Sequence, residues 1–337
     1  MASAPNELLT HLLRDVSRSF YLTLRVLPGK IRRQIGLAYL LARTTDTIAD
    51  TELVPLEHRL RALQALRGRI LGASEVPLDF GDFARQQDLP AERALLEKIE
   101  ASLSLLGDLA GPDRQLVREV LSTITSGQEL DLRRFAGASE KNVISLRTDE
   151  ELEDYTYRVA GCVGEFWTKM CRAHIFPKAP LDDSWLLENA VRFGKGLQLV
   201  NILRDVAADA RQGRCYLPEQ GLAALGLHPE DLLEPQSEPR LRPLYNTYLE
   251  RAEKHLLAGW AYTNALPRRN IRVRLACAWP ILIGLETIKR LRAGKVLDPR
   301  QRVKVSRAEV RKLLWRSMVR YPCPRAWKAI ASPTILP

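Results

Sequence analysis

Long apolar runs are missing from this chain: the longest near the C-terminus, around Leu275 to Leu285, is too short to span a bilayer. No basic–apolar–small leader pattern opens it, because Asn6, Glu7, His11 and Arg14 interrupt the first apolar stretch. The five cysteines, Cys162, Cys171, Cys215, Cys277 and Cys323, are odd in number, scattered and without a CxxC pair, which argues against a disulfide framework or a zinc site. The histidines form no HExxH, and no GxGxxG opens a helix. Convincing period-2 strand patterns are scarce, which disfavours a sheet protein. Aromatic residues are only 7%, and no dense Lys/Arg block is interleaved with them; the excess positive charge is spread along the chain. Nucleic acid is therefore the least favoured reading of the net charge of +11, behind an anionic membrane surface and a pocket for phosphorylated substrates. These absences leave a soluble cytoplasmic protein in which any membrane contact is peripheral and reversible.

What is present is helical period. With 46% hydrophobic residues the 337-residue chain can bury a sizeable core. Leu8, Leu9, Leu12, Leu13 and Val16 start one amphipathic helix, punctuated later by Pro28–Gly29. Helices follow over about 31–50, 55–71, 91–109 and 112–134, with a Pro/Gly/Asp-rich loop over 72–90. Thr148 with Glu151 makes a capping box that opens a helix through Cys171. A long helix covers about 182–209, a Pro/Glu-rich linker 234–243, and two C-terminal helices follow, broken at Pro267 and with Pro280 inside the second. No internal repeat appears. One all-α domain with a core over about 8–310 and a tail over about 320–337 is the expectation.

Two of these helices carry carboxylates at helical spacing. Asp46 and Asp50 stand at i and i+4, continuing a stripe that starts with Ile35 and Tyr39 and passes Arg43. Such a pair alone fits a solvated face, but the nearly uncharged run from Gly36 to Ala42 suggests a face that looks inward. Gln198, Asn201, Asp205 and Asp209 form a second polar row on a helix otherwise built of Leu197, Leu199, Val200, Ile202 and Leu203. Buried polar groups need partners, so this row calls for a hydrated cavity, a bound cation or an interhelical polar network. Hard oxygen donors of this kind suit Mg²⁺, which binds through one or two carboxylates and completes its shell with water and substrate phosphate. Arg43, Arg204 and Arg214 sit beside the rows, and guanidinium forks match phosphate oxygens.

At these residues the sequence resembles the squalene/phytoene synthase family. The matching segments are Ser17–Phe20, Arg43–Asp50, Tyr155–Gly164, Gln198–Asp209 and Gly213–Pro218, in the family's order and over about residues 8–310. The resemblance implies a single-domain isoprenoid-synthase helical bundle around a central apolar cavity, with Mg²⁺ held on substrate diphosphates. It implies that Asp46, Asp50, Asn201, Asp205 and Asp209 bind metal. It further implies that Ser17, Arg18, Ser19, Tyr39, Arg43, Gln198, Arg204 and Arg214 contact substrate, and that Tyr155 lies near the reacting carbons. Ala49 departs from the pattern, standing where some squalene synthases carry another acid. Gly161 and Gly164, costly within a helix, point to close approach of substrate or of a neighbouring helix.

Within that family, Ala276-Cys277-Ala278-Trp279-Pro280 looks like the squalene branch, which joins two farnesyl diphosphates through presqualene diphosphate and reduces the product with NADPH. Lys304 resembles a nicotinamide-phosphate contact, and Arg18, Arg43 and Arg204 are candidate partners for the same cofactor. Phytoene or dehydrosqualene synthesis, which needs no reductant, is the alternative within the family. Outside it stand a basic helical scaffold binding membrane or nucleic acid and a terpene cyclase or head-to-tail prenyltransferase. The chain is expected to act as a monomer.

Overall fold

Good helix formers fill nearly every apolar-periodic stretch, and the computed structural model, which describes residues 8–17, 20–298, 300–301 and 303–331, is accordingly built of helices. In chain order the longer ones are α1 (Gly29–Asp50), α2 (Leu56–Leu71), α3 (Pro90–Glu97), α4 (Ile99–Gly107), α5 (Gly111–Arg134), α6 (Asp149–Thr156), α7 (Cys162–His174), α8 (Asp183–Arg211), α9 (Glu238–Ala265), α10 (Ile271–Ala293) and α11 (Arg307–Arg320). Two two-residue strands, β1 (Ile144–Ser145) and β2 (Arg214–Cys215), pair in parallel.

The chain divides into two compact units, one formed by residues up to 136 with 166–178, the other by 137–165 and the residues from 179 onward. In the first, α1 buries Ile31, Ile35, Leu37, Leu40, Leu41 and Ile48 among α2, α4 and α5. The distal part of α7 joins this unit: His174 Nε2 lies 2.7 Å from Asp113 Oδ1, and Gln34 donates to the other oxygen of Asp113 at 2.8 Å.

In the second unit α8 and α9 are the most closely packed pair, with α10 against both. Tyr245 on α9 donates to the carbonyl of Leu203 on α8 at 2.8 Å. Thr148 accepts from the amide of Glu151 at 3.3 Å, and the Glu151 carboxylate accepts from the Arg147 amide at 2.7 Å, so the expected cap is present with its return bond shifted by one residue. Asp182 caps α8 by accepting from the Trp185 amide at 3.0 Å.

The structure departs from the sequence expectation in four places. The helix expected over 91–109 is two helices, bent at Lys98 (φ −97°, ψ 19°). The loop over 72–90 contains a short helix, Gly81–Arg85. The helix after Thr148 runs through a π-helical turn at Tyr157–Gly161. Most of the linker expected over 234–243 is already helix: α9 begins at Glu238, takes one proline in its first turn, where the missing N–H costs nothing, and tolerates Pro243 inside. No described helix is long and apolar enough to cross a membrane.

Candidate active site

On α1 the stripe is buried at Ile35 and opens progressively: Tyr39, Arg43 and Asp46 are partly covered and Asp50 is exposed. The inward face expected for the carboxylates is therefore accurate for the start of the stripe and not for its end. Thr44, Thr45 and Thr47 turn their hydroxyls back to helix carbonyls at 2.7–2.9 Å, leaving Arg43, Asp46 and Asp50 as the groups that present charge.

Around Asp46 the first unit assembles a polar cluster. Gln128 on α5 donates its amide to Asp46 Oδ1. Arg43 reaches to 3.9 Å from Asp46 and donates to Glu92 on α3 at 2.6 Å. Glu92, buried, also accepts from Thr47 at 2.5 Å. Loss of hydration, followed by the like charge of Asp50, pushes the Asp46 carboxyl up to about 7; Arg43 and Gln128 only partly offset this. Yet Asp46 keeps 46% of its side-chain surface, so the group is recessed but reachable. Two acids one turn apart, one of them reluctant to ionise, form a donor set that a divalent cation would stabilise. Among the described residues the buried Ser17 hydroxyl has no hydrogen-bond partner, and Tyr39 points its hydroxyl at the Val16 carbonyl at a long 3.5 Å. Arg18 and Ser19 lie outside the described residues.

On α8 the second row stands as the spacing requires. The Asn201 amide reaches Gln198 at 3.5 Å. Asp205 is gripped by its neighbour Arg204 through two bonds of 3.0 and 2.5 Å, and the hydrogen bond that Arg204 donates to Asp205 raises the proton affinity of the guanidinium further. Asp209 lies one turn on. Arg214 sits on β2, held by the β1 pairing directly after Gly213, whose φ of +79° and closeness to Ser139 (an added Cβ would lie 2.2 Å from its amide nitrogen) admit no side chain.

Tyr155 is buried near the end of α6 and stacks on Tyr216 of the loop after β2, with centroids 4.7 Å apart and planes at 25°. The π-helical turn follows two residues later; such turns are frequent at functional sites. Gly164 answers the question raised by its sequence, since a Cβ there would lie 2.0 Å from the Ala190 carbonyl on α8. Neighbouring-helix approach explains it. Lys304 is exposed on the segment before α11, its carbonyl accepting from Arg290 at 2.5 Å.

The described geometry thus places the metal candidates in two sets, Asp46 and Asp50 in the first unit, Asn201, Asp205 and Asp209 in the second. Among the described residues no group of three or more His, Cys, Asp or Glu could hold a metal ion unaided. Of the expected nicotinamide contacts, Arg43 is paired with Glu92, Arg204 with Asp205, and Lys304 is exposed on the segment before α11. Glu92, Gln128 and Tyr216 are the residues that sequence reasoning passed over. Only Tyr216 had a signal, its place in the Gly213–Pro218 loop.

Comparison with known proteins shows the family and the fold. Residues 13–309 match the family model described as squalene/phytoene synthase. The presqualene diphosphate synthase of Sinorhizobium fredii is 29% identical over 91% of this chain and 95% of its own length. A bifunctional lycopene cyclase/phytoene synthase of Colletotrichum graminicola is 32% identical over 67% of this chain, which spans only 37% of that fungal protein. In structure, the squalene synthase of Alicyclobacillus acidocaldarius superposes with a TM-score of 0.62 at 20% identity, covering 86% of this chain and 94% of that one.

Proposed function

Because the chain belongs to the squalene/phytoene synthase family, whose members are prenyltransferases condensing isoprenoid diphosphates head to head, we propose that it joins two farnesyl diphosphates through presqualene diphosphate and reduces the product to squalene with NADPH. The observation that carries the choice within the family is the segment Ala276-Cys277-Ala278-Trp279-Pro280, squalene-like in sequence, with its first four residues buried on α10 and Pro280 accommodated inside that helix.

In this reading Asp46 and Asp50, with Asn201, Asp205 and Asp209, hold Mg²⁺. Bound Mg²⁺ supplies electrostatic neutralisation of the departing diphosphate. Arg43, Arg204 and Arg214 bind the same diphosphate oxygens, and Ser17 offers its buried hydroxyl. Arg204 must exchange Asp205 for phosphate to do so, a swap that also frees Asp205 for metal. Gln128 and Glu92 orient Asp46 and Arg43. Tyr155, buried and stacked on Tyr216, borders the carbocation, which has to be kept from water until it is captured.

A second reading is favoured by the near-full-length similarity to presqualene diphosphate synthase: release of presqualene diphosphate without reduction. One experiment separates them. The purified protein is incubated with farnesyl or geranylgeranyl diphosphate, with and without Mg²⁺ and NADPH, and products are extracted before and after phosphatase treatment. Squalene from farnesyl diphosphate, dependent on both additions, supports the proposal. Presqualene alcohol regardless of NADPH supports the second reading. A C40 hydrocarbon made only from geranylgeranyl diphosphate overturns both, and full activity of Asp205→Asn overturns the metal assignment.

A further inference from the structure

Residues 303–331 carry eight Lys and Arg (Lys304, Arg307, Arg311, Lys312, Arg316, Arg320, Arg325 and Lys328) against one acid, Glu309. Seven of the eleven net positive charges therefore lie in this segment, and the even spread suggested by the sequence is not the physical distribution. Much of it is α11, which reaches beyond the family match ending at residue 309.

Turning by about 100° per residue, α11 sorts its side chains sharply. Its inner side places Val310, Leu313 and Leu314 partly covered and Ser317 buried, accepting from Trp279 Nε1 on α10 at 3.1 Å. Its outer half carries Trp315, Val319 and Met318, which are 67%, 57% and 42% exposed, together with Ala308. Arg307, Arg311, Lys312 and Arg316 are interleaved with them and all exposed. The one acid is withdrawn from this face: Glu309 closes the capping box with Ser306 and pairs with Arg290.

The helix is held firmly in this orientation. Just beyond it, Tyr321 and Trp327 pack on the Arg274 guanidinium at 5.4 and 5.5 Å from their ring centroids. Trp327 also stacks on Trp260 at 5.0 Å, and Tyr321 donates to the Arg268 carbonyl at 2.5 Å. The outward face is thus presented by a fixed element.

We infer that the outer face of α11 docks this protein on an anionic lipid surface. An apolar centre with tryptophan, surrounded by cations and free of acids, is the pattern of a helix lying in the membrane interface. Each cation near an anionic leaflet contributes roughly a fivefold gain in partition. Nucleic acid fits less well, since Val319 and Met318 have no counterpart in a phosphate backbone. A second copy fits less well too, because pairing this face with itself would set four cations against four.

The test uses the full chain in sedimentation with vesicles of phosphatidylcholine alone and of phosphatidylcholine with phosphatidylglycerol. Wild type should bind the anionic vesicles, more weakly as salt rises. Both Trp315→Ala/Val319→Ser and Arg311→Glu/Lys312→Glu should lose binding by about tenfold or more while keeping the wild-type melting temperature and prenyltransferase turnover in free solution. Absence of wild-type binding, equal binding by both double variants, or equal binding to neutral vesicles would overturn the inference. So would binding of duplex DNA that depends on Arg311 and Lys312 with no vesicle binding, or a dimer abolished by Trp315→Ala. Since turnover is read separately, failure here leaves the functional proposal standing.

Discussion

Asp46 concentrates the conflict between stability and chemistry in one carboxyl. Its raised proton affinity means the neutral form suits the metal-free fold. The sign follows: an unfolded aspartate titrates near 3.8 and the folded one near 7, so stability is fullest below the lower value and is lost as pH rises through the higher. Asp46→Asn should therefore raise the melting temperature in EDTA at pH 8, with the advantage over wild type shrinking toward pH 4, while turnover falls by about a hundredfold or more. Equal melting curves across that range would refute the cause assigned to the shift. Glu92 is the complementary case, a residue that holds Arg43 and Thr47. Glu92→Ala leaves a partly buried guanidinium without its main acceptor and should cost about 3 kcal/mol in urea unfolding. Glu92→Gln keeps a neutral acceptor and should recover part of that, with substrate affinity weakened through Arg43.

Between α7 and α8 the deciding contact is backbone against backbone. An alanine at Gly164 would drive its Cβ to 2.0 Å from the Ala190 carbonyl, and Gly194 approaches the Ala160 carbonyl as closely, at 2.2 Å for the same added atom. Gly164→Ala should destabilise by about 3 kcal/mol, whereas Gly107→Ala, with nothing within 4 Å of the added atom, should change stability by less than about 1 kcal/mol; comparable denaturant midpoints for the two variants would contradict the packing. Gly164 was legible in the sequence because helix-interior glycine demands a reason, whereas Gly194 was passed over. The boundaries of α1, α2, α5 and α8 were legible too, since period, prolines and caps are local signals. The bend at Lys98 was not, having neither proline nor glycine to mark it, and the π-helical turn was hidden because Tyr157–Gly161 keeps a helical composition. Pro243 misled: prolines suggested a linker where α9, packed along α8, sustains the helix through them. Glu92 and Gln128 had no local signal, because their importance comes from partners 45 and 82 residues away. The acidic rows were visible as periodicity, but the Arg204–Asp205 bond was not, as adjacent helical residues do not normally face each other.

Taken over the whole chain, the proposed metal ligands are divided, two carboxylates in one unit and two with an amide in the other, and no described cluster suffices alone. In the proposed function the substrate's own phosphates complete the Mg²⁺ shell, so metal and diphosphate should bind as mutually dependent ligands. Mg²⁺ alone should stabilise weakly, since the reluctance of Asp46 to ionise opposes it, and pyrophosphate alone weakly, since Arg204 is already occupied by Asp205. Added together they should stabilise by more than the sum. At a hundredfold excess over the joint dissociation constant the gain is about 2.7 kcal/mol, or about 4 °C for a protein of this size. Thermal melts in a grid of Mg²⁺ and pyrophosphate concentrations read this directly, and Asp205→Asn should collapse the joint shift toward the sum of the separate ones. Strictly additive shifts in the wild type would mean that the two ligands occupy unrelated places, and the division of the carboxylates would then carry no catalytic meaning.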